Sequence, residues 1–165
     1  MRLDGLDVLI MMRREIGLVI ENTCTRSDED ESRIIIKNEK VHVNLFFGLS
    51  PYAPGHIVIE PRNNVHDITE LNADHWNTLS KWIPIVSKAM KVILTEIFDR
   101  KVEKIYICSF NKSEEYPVHI HLIPRYELFS KKGPELLVSD EKILIPLIIR
   151  DKIVNKMKKV LTSLN

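Results

Sequence analysis

The residues best suited to chemistry lie in Pro117-Val118-His119-Ile120-His121-Leu122-Ile123-Pro124-Arg125. Successive side chains of a strand point to opposite faces, so His119 and His121 share one face while Val118, Ile120 and Leu122 share the other. The apolar face belongs to a core. The two imidazoles need water, a ligand, a metal or each other, because burying two unpartnered polar rings would cost on the order of a few kcal/mol. His56 follows Pro54-Gly55 directly, opens another apolar run, and could join them. Three chemistries fit such a cluster. A metal site needs a further ligand, and Glu127 stands six residues beyond His121. Imidazole attack on phosphorus needs one nucleophilic ring and neighbours that donate hydrogen bonds to phosphate oxygens. An anion-binding site without turnover would use the same residues. Against all three stands the plain alternative of structural histidines, with His56 capping its own turn.

These residues must be held by strands. The runs 34–36 and 41–47 are rich in β-branched and aromatic residues around Lys37-Asn38-Glu39-Lys40, which predicts a hairpin. Ser50-Pro51-Tyr52-Ala53-Pro54-Gly55 is a turn-rich connector, and strand character resumes over 56–60 until Pro61. Two more strands are predicted over 104–110 and over 118–123, the latter ended by Pro124. Residues 71–98 form the longest helical pattern, with Asn72 as N-cap, Leu79, Ile83, Val86, Met90, Ile93 and Ile97 on one face, and a kink near Pro84. A helix over 3–20 begins the chain after Asp4. Another over 144–164 carries Ile149, Ile153, Met157, Val160 and Leu164 on one face, with Pro146 in its first turn. Strands in two blocks around one long helix predict an α+β fold, with an antiparallel sheet of about five strands, a long central helix and a C-terminal helix. One domain spans 1–165, with a core over 22–130 and a C-terminal helical extension over 140–164.

Composition narrows the function. The chain has 165 residues, 44% of them hydrophobic and 28% charged, and no apolar run approaches the roughly 18 residues of a membrane span. Lys and Arg number 24 against 23 Asp and Glu, so no basic excess argues for nucleic acid or for a membrane surface. The acidic run 28–31 reads as a solvated loop. Cys24 and Cys108 stand apart, and Asp4 and Asp7 break what would be a secretory apolar region, which predicts a cytoplasmic protein. The five glycines never cluster, which removes the glycine-rich loops that cradle phosphate.

Pro54-Gly55-His56 followed by Ile57-Val58-Ile59-Glu60-Pro61, then Leu71 opening a long helix, then His119 through Arg125 at this spacing, resembles the histidine triad (HIT) superfamily of nucleotide hydrolases and transferases. The resemblance covers roughly residues 22 to 130. Ser50-Pro51-Tyr52-Ala53-Pro54-Gly55-His56 is most similar to the branch that holds diadenosine polyphosphate hydrolases and phosphorylases, as is the extension through Pro146 and Arg150-Asp151. The resemblance implies that His119 attacks the α-phosphorus to give a nucleotidyl-histidine, that His121 hydrogen-bonds the phosphate, and that His56 is the turn histidine of the same site. The first histidine of the family motif falls on Pro117, whose carbonyl can still orient His119. The ribose position falls on Gly48, with Leu49 beside it, where the family has Asn or Asp. The phosphate-cradling stretch falls on Asn111 and Ser113 in a short acidic loop.

The implied ligand is a nucleotide or a dinucleoside polyphosphate, and the implied assembly a homodimer, with no cofactor, no metal, no nucleic acid and no membrane. Two functions stay open: a hydrolase or transferase acting through His119, and a catalytically degenerate domain that binds a nucleotide or another protein.

Overall fold

The computed structural model describes residues 31–46, 53–62, 65–110, 117–127, 133–136 and 147–163. Five strands form one antiparallel sheet: β1 (Ile34–Lys37), β2 (Val41–Leu45), β3 (Ile57–Pro61), β4 (Val102–Cys108) and β5 (Ile120–Tyr126), in the spatial order β1-β2-β3-β5-β4. Asn38 makes the first turn tight, its side-chain oxygen accepting from the backbone N–H groups of Lys40 and Val41. Helix α1 (Ala73–Phe98) connects β3 to β4, and β5 then returns into the gap between them. Helix α2 (Leu147–Thr162) packs on α1 and on β1. The predicted α+β architecture is therefore the observed one.

Helix α1 starts where Asn72 predicts. The Asn72 side chain accepts from the N–H of His75, and the His75 ring accepts from the N–H of Asn72, so two end donors are satisfied reciprocally. The helix runs on through the exposed Pro84 to Phe98, and Asp99 closes it in a left-handed conformation. Its buried stripe of Leu79, Trp82, Val86, Ala89, Met90, Ile93 and Leu94 lies on Val43, Leu45, Ile57, Ile59, Ile120 and Leu122 of the sheet. Each fully buried aliphatic side chain there contributes about 1.5–3 kcal/mol.

Three expectations shift. The last strand does not stop at Pro124 but continues to Tyr126, with Pro124 opposite Ile105 of β4. Past Leu122 it has no pairing on the β3 side, so a residue without an N–H is tolerated there. Strand β4 begins at Val102 and ends at Cys108, two residues earlier than its alternation suggested. On α2 the core contact falls to Leu161, four residues after Met157, and Val160 is left exposed. The predicted helix over 3–20 lies outside the described residues, and no described helix is long and apolar enough to cross a membrane.

Candidate functional site

The turn before β3 carries His56, and its shape is dictated by glycine. Gly55 has φ +85°, and a Cβ at that position would sit 2.5 Å from a Leu94 methyl carbon, so α1 presses directly on the backbone. The Tyr126 hydroxyl donates to the Pro54 carbonyl at 2.6 Å, both buried, which ties this turn to the end of β5. Burial also pushes the Tyr126 phenol well above its ordinary pKa, so it remains a donor. The Phe46 N–H donates to the His56 carbonyl at 2.8 Å and continues the β2–β3 ladder to the histidine itself.

His121 arrives on the neighbouring strand and His119 directly before it, because β5 begins at Ile120 and not at the expected Val118. Val118 and Ile120 enter the core, and the Val118 N–H donates to the Val65 carbonyl, which fixes the entry into β5. The Ser109 hydroxyl donates to the His119 carbonyl at 2.9 Å. The ring of His119 turns its Nδ1 to the Pro117 carbonyl at 2.9 Å. A carbonyl can only accept, so Nδ1 carries the proton and Nε2 of the neutral ring keeps a free lone pair. His121 pairs across the sheet with Val58 and Cys108, and its Nδ1 lies 2.9 Å from His56 Nε2, one nitrogen donating to the other.

The three imidazoles thus converge from positions 65 residues apart. Ring centroids of His119 and His121 are 4.7 Å apart, and those of His56 and His121 4.9 Å. Phe46 packs against both His56 and His121, and Phe110 against His121. This apolar cover disfavours the imidazolium. His121 is pushed down to about 4, by burial first and then by His119. His56 lies well below its ordinary value, from burial, then His121, then His119. Two rings held neutral beside His119, whose Nδ1 faces the Pro117 carbonyl, can offer hydrogen-bond donors to an anionic centre next to a nucleophilic Nε2.

Of the residues singled out in the sequence, His56, His119, His121 and Pro117 come together. Gly48, Leu49, Asn111 and Ser113 lie outside the described residues. Sequence reading passed over Phe46, Ser109, Phe110 and Tyr126. The aromatic at 46 counted only as β propensity, and Tyr126 lay beyond the proline taken as the strand's end. It also passed over Asn44, 5% exposed on the same sheet face as His121, with both side-chain amide atoms buried and without a hydrogen-bond partner among the described residues. Among the described residues no group of three or more His, Cys, Asp or Glu side chains is arranged to hold a metal ion.

The fold is shared with solved histidine triad proteins. One from Sinorhizobium meliloti 1021 superposes with a TM-score of 0.61 at 17% identity, over 82% of this chain and 95% of that one. A hypothetical histidine triad nucleotide-binding protein from Sulfolobus tokodaii gives 0.55 at 15% identity, over 94% and 91%. A zinc-bound histidine triad family protein from Mycobacterium smegmatis gives 0.53 at 12% identity, over 98% and 97%. No curated protein matches the chain. The model of the HIT domain matches residues 27–128, well over half the chain and the whole span from before β1 to just past β5. The chain belongs to the HIT domain family.

Proposed function

We propose that this protein binds a nucleotide or dinucleoside polyphosphate and cleaves or transfers at its α-phosphorus through a nucleotidyl-His119 intermediate. The observation that carries the reading is the 2.9 Å contact from His119 Nδ1 to the Pro117 carbonyl, which leaves the Nε2 lone pair available. In the first step that lone pair forms a bond to phosphorus, and the bond from phosphorus to the bridging oxygen breaks with its electron pair passing to the leaving phosphate or polyphosphate. In the second, an oxygen of water or phosphate attacks the same phosphorus, and the phosphorus–nitrogen bond breaks back onto His119. With His56 Nε2–H donating to His121 Nδ1, the proton of His121 resides on Nε2, and that N–H donates a hydrogen bond to a phosphate oxygen as charge develops. The histidine triad nucleotide-binding protein from Sulfolobus tokodaii, similar in fold, is in keeping with the ligand class.

The test is trapping. Incubation with an activated adenylate should add one nucleotidyl mass to the intact chain, and His119→Asn should abolish the adduct and turnover while retaining nucleotide binding. Proline in place of the first motif histidine favours a second reading, a domain that binds without chemistry. No adduct and no turnover on any dinucleoside polyphosphate or phosphoramidate, with binding intact, would select it.

A homodimer is part of the proposal. Strand β4 has no strand outside it among the described residues, and Ile107 and Phe110 at its end are 57% and 48% exposed. An apolar sheet edge of this kind is a ready template for a second chain. Light scattering at working concentration should give twice the chain mass.

A further inference from the structure

At the end of β3 remote from His56, the β1–β2 turn, Arg62 and the first turns of α1 enclose a cleft of about 870 Å³. Six residues of extended chain separate His56 from Arg62, about 20 Å, so the cleft is distinct from the histidine cluster. Three cations line it, Lys40 from the turn, Arg62 from the end of β3 and Lys81 from α1. Among the described residues none of the three pairs with a carboxylate, although Glu39 and Asp74 line the same cleft.

The guanidinium is held in place. Arg62 Nη1 lies against the His42 ring, 2.7 Å from Nε2 and 3.3 Å from Nδ1, and His42 is itself 3% exposed. The buried ring brackets the guanidinium on one side, and among the described residues the rest of the fork has no other side-chain partner. His75 is fixed too. Its Nδ1 accepts from the Asn72 N–H, which puts the ring proton on Nε2 and leaves that N–H as a donor at the rim. The cleft also holds the positive end of a 26-residue helix.

We propose that this cleft binds a small phosphate ester with a hydroxylated body, its phosphate on Arg62, Lys40 and Lys81. A planar guanidinium fork suits phosphate oxygens, and two ammonium groups supply the remaining charge. Glu39 and Asp74, with Asn77 and Thr78, are acceptors and donors for hydroxyl groups. The same two carboxylates repel a bare polyanion, which favours an ester over inorganic phosphate or an acidic peptide. None of these residues takes part in the proposed reaction at His119, so either assignment can fail without the other.

The chain supplies its own reporter. Its two tryptophans, Trp76 and Trp82, both lie in the first half of α1, and Trp82 lines the cleft. Titration of the whole protein with ribose 5-phosphate should therefore change tryptophan fluorescence saturably. Lys81→Gln and Lys40→Gln, both at exposed positions, should each weaken the response about tenfold, the loss of one charge-assisted contact, and Arg62→Gln by at least as much. His119→Asn should leave it unchanged. No saturable response, an equal response in the triple Gln variant, or inorganic phosphate binding as tightly as the ester would each overturn the proposal. Should Arg62→Gln fail to fold, as read by circular dichroism, the two lysine variants still decide.

Discussion

Acidification should destabilise this protein through His121 before most carboxylates titrate. The ring is neutral in the folded state with a pKa of about 4, against an ordinary value of 6.5 in the unfolded chain. Between those values the unfolded chain binds the proton and the folded one does not, so stability is full above pH 6.5 and falls as the pH drops toward 4. At about 1.4 kcal/mol per pKa unit, the shift corresponds to about 3 kcal/mol in all, of which about 2 is lost by pH 5. His56 is shifted in the same direction and adds to the loss. The assay is urea denaturation from pH 7.5 to 4.5 for the wild type and for His121→Gln, with the difference taken at each pH so that carboxylate effects common to both cancel. The difference should move by about 2 kcal/mol in favour of the variant between pH 7.5 and pH 5. A difference constant to within about 0.5 kcal/mol, or an NMR titration of His121 near 6.5, would refute the claim that apolar cover holds the ring neutral.

Further outcomes follow from the supports of the site. Tyr126→Phe orphans the buried Pro54 carbonyl and should lower stability by about 1–2 kcal/mol in denaturant melts, with faster amide exchange in the turn at 53–56. Gly55→Ala combines a positive φ with a close approach to Leu94, and should lower stability by roughly 2 kcal/mol or more in the same assay. Asn44→Leu removes a buried amide with no partner among the described residues and should leave stability equal or about 1 kcal/mol higher, whereas a loss above that in calorimetry would show that the amide is satisfied.

The histidine pattern was legible because alternation is local: Val118, Ile120 and Leu122 enter the core wherever the strand lies, and the histidines are left to the other side. Asn72 was legible as a cap for the same reason, since its partner is three residues away. The order of the strands was not. Nothing near His121 states that Val58 will stand opposite it, and the pairing depends on β5 entering between β3 and β4. The end of β5 was misread because proline is a stop signal only where its N–H would have met a partner. Phe46 and Tyr126 escaped notice because their roles rest on contacts across 10 and 72 residues, and no periodicity reports such distances.

The bond from Tyr126 to Pro54 links the strand that bears His121 to the turn that bears His56, across 72 residues. Closing a loop of that length costs about 4 kcal/mol in its length-dependent part, and no partial fold of the chain recovers it. The cluster therefore exists only when β5 sits between β3 and β4. No hairpin or helix excised from this chain, and no nascent chain that lacks β5, carries the three imidazoles together, so the site is absent until the sheet includes its last strand.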